Sequence, residues 1–553
     1  MNRFGSPFLS TFCFRLCISC IAANSLAILL LSWPCSGEEN KGPITPPPVA
    51  PQEIEKVEQL IRSANELQDR LRRDGQRPKY HFLPAWGWIN DPNGPLFWKG
   101  KYHLFYQFNP NAGTWGLMHW GHSSSKDLVH WTQHPIALKP TPGGSDRDGI
   151  FSGGAVINNG VPTLIYHGVP EGTCIATSQD DDLIHSEKCA GNPIIAVPKP
   201  EQKVEYGVYD PCAWKHGDWW YALTGWGRNF ARPTAPEGDI AFLFKSSDMV
   251  HWQYLHPFYQ SNRRWTDPDE DCAVPDFFSL GRKHVLFFAS HKRGCQYYIG
   301  RYENDHFYPE QHARLNWSGG QVIAPITCLD DRGRRILYLW INEGRAEARH
   351  RAAGWAGMMA IPRILTLTAD DSLRIQPVPE IEMLRCTLRR HDDLQLETNS
   401  EWDLKSIQGD SLELQLEMRP DGAKQFGLVV RRSPDGEEQT RLYSDAEAKA
   451  FKIDGSRASR FAEEPPLVPI LPAAERQIRV QSAPFALSPG EPLKLRVFLD
   501  RSILEVYIND GRQTLTQRIY PSRPDSVGIR VFSQGGKANV SNVQAWDMAA
   551  AGE

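Results

Sequence analysis

The sequence lacks a strong excess of either charge, and it lacks the common metal-binding patterns. Its 553 residues carry 61 Lys and Arg against 65 Asp and Glu, a net charge of −4. Such a chain has no overall basic character of the kind that binds nucleic acid or anionic lipid. It contains no HExxH motif, and no two of the seven cysteines after residue 37 are spaced as C-x-x-C. We therefore expect no metal, no other cofactor and no nucleic-acid partner.

Acidic residues are absent before Glu38. Arg3 and Arg15 precede an apolar run over residues 16–33, and small residues follow that run. This order is typical of a secretory signal peptide, so residues 1–37 are predicted to be cleaved and the mature protein to be secreted or periplasmic. Because the run is long for a signal peptide, an uncleaved membrane anchor is the alternative, and we expect contact with a membrane only in that case.

Seven cysteines remain after the predicted signal peptide. An exported protein can oxidise some of its cysteines to disulfides. An odd number leaves at least one free thiol, and the pair that we expect to be bonded is Cys174 with Cys189.

Residues 38–77 are predicted to hold a Pro-rich linker followed by an amphipathic helix over residues 52–73. Apolar residues recur in the helical segment at the spacing of one helix face. They are Ile54, Val57, Leu60, Ile61, Ala64, Leu67 and Leu71. The helix is expected to pack on the domain that follows it, with a short coiled coil as the alternative.

Five similar β-hairpins follow, and each has a glycine in its turn. Short runs of apolar β-forming residues flank every turn, which is the usual signal of a hairpin. The glycines are Gly100, Gly160, Gly217, Gly281 and Gly333. Their spacings of 60, 57, 64 and 52 residues are typical of propeller blades, so residues 78–376 are predicted to form a five-bladed β-propeller.

A second repeat supports the first one. Residues 126–131, 181–185 and 247–252 each contain Asp, two or more apolar residues and His, and Trp follows in two of the copies. Three copies at blade spacing are expected to lie in the outer part of successive blades.

Short alternating strands return over residues 396–548, after a connector predicted at residues 377–395. Turn residues separate these strands, and a stretch of about this length with such a pattern is typical of a β-sandwich. The protein is therefore predicted to be all-β, with a catalytic five-bladed propeller followed by a C-terminal sandwich.

Acidic residues precede the turn in three of the hairpins. Asp91 lies nine residues before Gly100, and Asp210 lies seven before Gly217. The fourth hairpin has four acids in this place, namely Asp267, Asp269, Glu270 and Asp271. Because the first strand of each blade lines the propeller axis, these carboxylates are expected to converge on one pocket. Paired carboxylates are what cleavage of a glycosidic bond needs.

The chain resembles glycoside hydrolase family 32, the β-fructosidases of invertase, inulinase and levanase type, over roughly residues 78–548. Several separate motifs in the family's order support the resemblance. They are Trp-Ile-Asn-Asp-Pro-Asn-Gly at 88–94, Tyr-Gln-Phe-Asn-Pro at 106–110, Trp115 with His-Trp-Gly-His at 119–122, Phe-Ser-Gly at 151–153, Gly-Trp-Ala-Gly at 354–357, and Asp-Arg-Ser-Ile-Leu-Glu-Val-Tyr at 500–507.

The resemblance implies a role for each of these residues. Asp91 would be the nucleophile of a retaining mechanism, and Asp210 would stabilise the oxocarbenium-like transition state. The substrate-binding residues would be Asn90, Gln107, Trp115, Trp120, Phe151, Ser152 and Tyr209. Trp115 or Trp120 would stack on a sugar face, although either side chain could equally belong to the core.

Two departures from the family pattern concern the chemistry directly. The family usually has Arg before the stabilising Asp, where this chain has Tyr209, and Tyr cannot replace the charged fork of Arg. The acid/base Glu of the family usually stands directly before Cys-Pro, but here residues 269–276 read Asp-Glu-Asp-Cys-Ala-Val-Pro-Asp. Glu270 is our choice for the acid/base, and Asp271 is the second choice.

Three functions are consistent with these residues. The first is a secreted retaining β-fructosidase that acts on sucrose or fructans. The second is a related propeller glycosidase for another furanoside or pyranoside, since family 43 enzymes share the blade design and Tyr209 departs from the fructosidase pattern. The third is an inactive carbohydrate-binding protein, favoured by the displaced acid. All three have a carbohydrate as partner.

Overall fold

The computed structural model describes residues 51–199, 201–225, 238–460 and 478–551. The predicted signal peptide or anchor and most of the Pro-rich linker lie outside these ranges. The chain divides into two compact units, residues 1–74 with 553 and residues 75–552. Among the described helices, none is long and apolar enough to cross a membrane.

Helix α1 spans Pro51–Arg73 and belongs to the first unit. It begins one residue before the predicted start. Its last turn contains Arg70, Arg72 and Arg73, and basic residues there favour a helix because they interact with the negative end of its dipole. Packing of this helix on the next domain and its pairing in a coiled coil remain predictions.

The second unit begins with five β-sheets arranged as propeller blades. Blade 1 comprises β1 Gly87–Trp98, β2 Lys101–Asn109, β3 His119–Ser125 and β4 Trp131–Gln133; blade 2 comprises β5 Gly149–Asn158, β6 Val161–Val169, β7 Gly172–Ser178, β8 Ser186–Lys188 and β9 Ile195–Ala196. Blade 3 comprises β10 Cys212–His216, β11 Trp219–Thr224, β12 Ile240–Ser246 and β13 Gln253–Gln260; blade 4 comprises β14 Ala273–Leu280, β15 Lys283–Ser290, β16 Gly294–Glu303 and β17 His306–Arg314. Blade 5 comprises β18 Val322–Leu329, β19 Arg335–Ile341, β21 Met358–Met359, β22 Arg363–Leu367 and β23 Leu373–Pro377.

The five predicted hairpins are the first two strands of the five blades. Neighbouring strands in each are antiparallel. In the second hairpin Asn159 and Gly160 have φ of 50° and 82°. A two-residue turn with both φ values positive matches the twist of the strands, and Asn-Gly adopts it readily.

The second sequence repeat forms a capped turn between outer strands. In blade 1 the Asp127 carboxylate accepts the backbone N–H groups of Val129 and His130 at 3.0 and 2.8 Å. Leu128 lies inside this turn with φ of 65° and is buried. Asp248 caps the same turn in blade 3. The repeated Asp therefore supplies acceptors that offset the unusual backbone of a buried apolar residue.

A short strand from the end of the propeller closes the ring of blades. After helix α2, Glu347–Ala353, strand β20, Trp355–Ala356, pairs in parallel with the start of β1, so that Gly87 lies opposite Trp355. Gly357 follows with φ of 75°, and a Cβ there would lie 2.1 Å from the Ile89 carbonyl oxygen. Only glycine fits, which explains the second glycine of the Gly-Trp-Ala-Gly motif.

The C-terminal domain is a sandwich of two antiparallel sheets around one apolar core. One sheet comprises β24 Arg385–His391, β25 Leu394–Leu396, β27 Ser411–Asp421, β32 Leu493–Asp500, β33 Ile503–Ile508, β34 Gln513–Arg518 and β36 Lys537–Met548. The other comprises β26 Ser400–Gln408, β28 Gln425–Arg432, β29 Gln439–Asp445, β30 Ala450–Arg457, β31 Val480–Pro484 and β35 Gly528–Gln534.

The connector is shorter than residues 377–395. A single 3₁₀ helix, Pro379–Leu384, follows β23, and then β24 already pairs with β36 of the sandwich. The sequence of β24 is rich in Arg and His rather than alternating apolar residues, which is why the pattern alone suggested a connector.

The expected Cys174–Cys189 disulfide does not form, since both are free thiols. Cys189 donates its backbone N–H to Ile175, the residue after Cys174. Successive side chains of a strand point to opposite faces of the sheet. Cys174 therefore points into the blade core, where it is fully buried, and Cys189 lies on the other face, partly exposed.

Buried charges join the propeller to the sandwich. His81, just before the first blade, lies with Nδ1 2.9 Å from Asp500 Oδ2 and Nε2 3.1 Å from Glu505 Oε1. Glu505 also accepts a hydrogen bond from Arg363 of blade 5 at 2.9 Å. All four side chains are essentially inaccessible to solvent. These two sandwich acids are the Asp and Glu of the motif at residues 500–507.

The electrostatics of this joint favour the charged forms. Burial alone would lower the pKa of His81, but its hydrogen bonds to Asp500 and Glu505 outweigh burial and raise that pKa to about 9. Burial acts to raise the pKa of Glu505, yet Arg363 and His81 lower it to about 2. His81, Glu505 and Arg363 are therefore charged near neutral pH.

Replacement of Glu505 by Gln is expected to destabilise the protein by about 3–5 kcal/mol, because it leaves a buried Arg363 without its counter-charge. Thermal unfolding followed by circular dichroism measures the effect. The matched control is Glu447→Gln, which removes an exposed pair with Lys424 and should cost no more than about 1 kcal/mol. Equal melting temperatures for the two variants would contradict the role of this joint.

Candidate active site

The inner strands of the blades carry bulges near one end of the propeller. The pairing of β1 with β2 shifts between Ile89 and Pro92, so Asn90 and Asp91 lie in a bulge. The pairing of β5 with β6 shifts in the same way between Ile150 and Gly153, around Phe151 and Ser152. Bulges are common beside active sites because the extra residue re-aims a side chain.

Asp91 is held by polar side chains from blades 1 and 2. Its Oδ2 accepts hydrogen bonds from Ser152 Oγ at 2.6 Å and Gln107 Nε2 at 3.4 Å, and its Oδ1 accepts one from Asn90 Nδ2 at 3.3 Å. Trp88 Nε1 in turn donates to Asn90 Oδ1 at 3.0 Å. The structure thus brings together Asp91 and three of the predicted substrate-binding residues.

Opposing effects act on the Asp91 carboxylate. Burial raises its pKa, while the hydrogen bonds from Ser152 and Asn90 and the charge of His291 lower it, and the net pKa is raised. A carboxylate in such surroundings is poorly solvated, and a poorly solvated anion is a stronger nucleophile than one in water.

Asp210 faces the same pocket from the start of blade 3. It stands two residues before β10 with φ of 38°, a conformation in the left-handed region. Its side chain is buried, and Oδ1 has no hydrogen-bond partner among the described residues. Burial and the nearby Asp91 carboxylate both raise the pKa of Asp210 well above its usual value. An unpaired buried oxygen here is available for a polar ligand.

Glu270 and Asp271 point to different partners. Glu270 accepts hydrogen bonds from the Asp267 backbone N–H at 2.9 Å and from the Gln296 side-chain amide. Asp271 accepts the His291 backbone N–H on Oδ1 at 2.7 Å, and its Oδ2 lies 2.5 Å from His291 Nδ1. Both carboxylates are buried.

His291 is hydrogen-bonded to Asp271 and is also affected by the charges of Asp91 and Asp210. Burial alone would lower its pKa, but the hydrogen bond and charge of Asp271, together with the charges of Asp210 and Asp91, raise it. The charges of Asp210, Asp91 and Asp271 also act on Tyr209, after burial, to raise the pKa of its hydroxyl well above the usual value. Asp91, Asp210 and Asp271 therefore lie close enough to His291 and Tyr209 to act on both side chains.

An aromatic wall replaces the expected Arg. The Tyr209 ring lies 5.3 Å from the His167 ring and 6.5 Å from the Phe151 ring, measured between centroids. His167 is buried, its Nδ1 has no partner in the described part of the chain, and burial lowers its pKa to about 4. This wall therefore carries no charge near neutral pH.

The two predicted stacking residues differ in exposure. Trp115 is 45% exposed and makes edge contacts with the rings of Trp88 and Phe151. Trp120 is fully buried, and its indole N–H donates to the Phe151 carbonyl at 2.9 Å. Trp120 therefore belongs to the blade core and supports Phe151, which corrects its assignment as a residue that contacts sugar.

Sequence reasoning missed His167 and His291. Gln107, His167 and Thr224 each stand seven residues after the turn glycine of their hairpin, at or near the end of the second strand, on the side of the bulges. A search for polar residues at this position would have found His167. His291 lies ten residues after Gly281, so the same spacing would have missed it. Within the described ranges, no group of three or more His, Cys, Asp or Glu side chains could hold a metal.

Family models match nearly the whole of this architecture. The model for the N-terminal domain of glycosyl hydrolases family 32 matches residues 81–377, and that for the C-terminal domain matches residues 380–547. The chain belongs to glycoside hydrolase family 32. The all-β fold predicted for it, a five-bladed propeller followed by a sandwich, is confirmed.

Known members of family 32 are similar along most of the chain. A sucrose-6-phosphate hydrolase of Zymomonas mobilis is 32% identical over 507 residues, covering 85% of this chain and 92% of that protein. A levanase of Bacillus subtilis is 31% identical, covering 84% of this chain and 69% of that protein.

Solved structures of family 32 enzymes agree with the fold. The crystal structure of fructan 1-exohydrolase IIa from Cichorium intybus has a TM-score of 0.75 and 26% identity, covering 86% of this chain and 98% of that one. A Bombyx mori β-fructofuranosidase in complex with sucrose has a TM-score of 0.69 and 25% identity, covering 91% and 99%. The protein is a glycoside hydrolase of the β-fructofuranosidase-like type.

Removal of the Ser152 hydroxyl is expected to move the acidic limb of the pH–rate profile of this family 32 enzyme to higher pH. The hydrogen bond from Ser152 lowers the pKa of Asp91, so its loss in Ser152→Ala lets that pKa rise and requires a higher pH for ionisation. The pH dependence of kcat/KM measures the shift.

The control for this experiment is Ser123→Ala. It also removes a buried hydroxyl, but from blade 1 and not from blade 2, where Ser152 lies. Its acidic limb should coincide with that of the unaltered enzyme. A Ser152→Ala profile that also coincides would show that Asp91 does not control the acidic limb.

Proposed function

We propose that this protein is a retaining glycoside hydrolase that releases β-fructofuranosyl units from sucrose or fructans. The observation that carries the proposal is the pair Asp91 in blade 1 and Asp210 before blade 3, two buried carboxylates of which Asp91 raises the pKa of Asp210. A developing oxocarbenium ion supplies a cationic partner for them in the transition state.

Asp91 acts as the nucleophile. Ser152 and Gln107 hold its Oδ2, and Asn90 holds its Oδ1, which fixes the carboxylate before the substrate arrives. Attack on the anomeric carbon forms a fructosyl-enzyme ester, and water then hydrolyses the ester with net retention.

Asp210 stabilises the transition state. Its unpaired oxygen accepts hydrogen bonds from sugar hydroxyls, and its negative charge is favoured more strongly as positive charge develops on the sugar ring. Trp115, exposed at the rim beside Phe151, supplies an apolar face for a sugar unit.

The resemblance implies that the acid/base belongs to the segment just before β14. Glu270 is the candidate by resemblance and Asp271 is the alternative. Both are buried carboxylates.

The similar proteins support the substrate class. They include enzymes named for sucrose 6-phosphate, raffinose, levan and fructan, all of which contain a β-fructofuranosyl unit. We further propose that the mature protein works outside the cytoplasm, on the pattern of residues 1–37.

Fructose release tests the proposal directly. The protein lacking residues 1–37 is incubated with sucrose, sucrose 6-phosphate, inulin and levan, and free fructose is measured. We expect release from at least one of them, and at least a 10⁴-fold lower kcat in Asp91→Asn, because an amide cannot form the ester intermediate.

The matched control is Asp127→Asn at the outer turn of blade 1, which should retain activity since an Asn oxygen also caps the turn. Absence of fructose release from every substrate by the unaltered protein would reject the proposal. Equal activity of Asp91→Asn and the unaltered protein would reject the role of Asp91.

A second candidate function is a propeller glycosidase for another furanoside or a pyranoside. The uncharged wall of Tyr209, His167 and Phe151 favours it, because an Arg that would bind hydroxyl groups as a charged fork is replaced by rings. In that case the two Asp residues keep their roles and the released sugar changes.

A panel of aryl glycosides separates the two candidates. The β-D-fructofuranoside should be cleaved at least 100-fold faster, by kcat/KM, than the α-L-arabinofuranoside and the β-D-xylopyranoside. Tyr209→Phe should change kcat/KM for the fructofuranoside by less than about tenfold if the ring serves mainly as a wall. The reverse order of substrates would establish the second candidate instead.

A further inference from the structure

The residue at the position expected for the proton donor, Asp271, has a histidine as its partner. In this chain Asp271, and not a glutamate, stands directly before Cys272. Both oxygens of its carboxylate are engaged by His291, one by the backbone N–H and the other by ring Nδ1. The Asp271 side chain is only 2% exposed, while the His291 side chain is 23% exposed. The ring, and not the carboxylate, is therefore the accessible member of this pair.

The fold places His291 at the same end of the propeller as Asp91 and Asp210. It is the first residue after β15, and Asp271 precedes β14, the strand that pairs with β15. Both residues therefore lie at the end of blade 4 where the inner strands begin, as do Asp91 and Asp210 in their blades. Since Nδ1 faces Asp271, Nε2 is the ring nitrogen left for a substrate, and it has no hydrogen bond to any residue in the described ranges.

Glu270 is directed elsewhere. Its two oxygens accept hydrogen bonds from the Asp267 backbone and from the Gln296 amide, and Gln296 Oε1 lies 2.8 Å from His312 Nε2. These contacts turn the Glu270 carboxylate toward the third and fourth strands of blade 4, β16 and β17. Glu270 and Asp271 are adjacent in sequence, but their carboxylates have different hydrogen-bond partners.

We propose that Asp271 and His291 form the acid/base pair of this enzyme, with His291 as the group that transfers the proton and Asp271 as its positioning residue. The inference rests on the proposed hydrolysis of fructosides and deepens it.

In the first step an Asp91 oxygen forms a bond to the anomeric carbon of the fructosyl unit while the bond from that carbon to the leaving oxygen breaks. The proton on His291 Nε2 moves to the leaving oxygen, which departs as an alcohol, and the imidazole becomes neutral. In the second step a water oxygen bonds to the anomeric carbon, the ester bond to Asp91 breaks, and Nε2 takes the proton of the water. Both groups return to their starting states.

The charges around His291 suit this role. Asp271, Asp210 and Asp91 face it and favour the imidazolium form, which raises its pKa against the effect of burial. The cations next to it in sequence, Lys292 and Arg293, are paired with Asp269 and Asp267. A raised pKa favours the protonated ring, which is the form that a general acid needs.

The test compares substrates that differ in their need for a proton. Sucrose has a poor leaving group, while 4-nitrophenyl β-D-fructofuranoside has a good one. We expect His291→Gln to lower kcat/KM for sucrose at least 100-fold and for the aryl fructoside less than tenfold, because general acid catalysis typically contributes a factor of about 10²–10⁴. Azide should raise kcat of the variant on the aryl fructoside and give fructosyl azide, since an anion needs no general base.

The pH profile separates the two members of the pair. Activity of the unaltered enzyme should be lost as pH rises through the pKa of the imidazolium. Asp271→Asn removes the nearest negative charge, so this basic limb should move to lower pH while measurable activity remains. In His291→Gln the limb should be absent.

The control is His284→Gln at the opposite end of β15, with activity within a factor of three of the unaltered enzyme. Equal losses on both substrates in a folded His291→Gln variant would overturn the inference, as would a leaving-group-dependent loss confined to Glu270→Gln. No fructose release by the unaltered enzyme from either substrate would instead reject the proposed function itself.

Discussion

The buried charges between the propeller and the sandwich are the constraint on which the rest of the structure depends. Asp500 and Glu505 lie on either side of the turn of the β32–β33 hairpin of the sandwich, and between them they hold His81 ahead of blade 1 and Arg363 in blade 5. These are the first and last blades, which must meet if the ring is to close. The sandwich therefore serves as a clamp across the seam of the propeller. This structural role explains the two acids of the motif at residues 500–507 without any contact with sugar.

The catalytic pocket depends on that seam. The strand that closes the ring, β20, lies against the start of β1, and Trp88 on β1 donates to Asn90, which in turn donates to Asp91. Arg518 of the sandwich lies over the Trp355 ring at 5.7 Å. A change in the joint would therefore reach Asp91 through aromatic and hydrogen-bonded contacts. Burial is the largest influence on the pKa values of Asp91 and Asp210, the Asp91 charge adds to it at Asp210, and His291 acts in the opposite direction on both.

The sequence predicts the features that recur in every blade, such as the turn glycines. It predicts less well the contacts that occur in only one blade. Five turn glycines were enough to predict five blades, because each turn needs a positive φ wherever the strands reverse. Asp91 and Asp210 could be located from their distance to those glycines. The partner of Asp271 could not, since His291 is distant in sequence and only the pairing of β14 with β15 brings it close. Trp120 and Trp115 have similar sequence surroundings, and burial separates them. The β24 strand was missed because its polar residues do not alternate with apolar ones.

The closing strand and the clamp also determine the order in which the molecule is completed. Blade 1 needs Trp355 and Ala356, and the segment around His81 needs Asp500 and Glu505 from near the end of the chain. A nascent chain on the ribosome holds the first blades long before these residues exist. The ring is therefore sealed only after synthesis is almost finished, and a chain truncated before residue 500 would leave polar backbone groups of Lys79, Tyr80 and His81 without the acceptor that the last hairpin supplies.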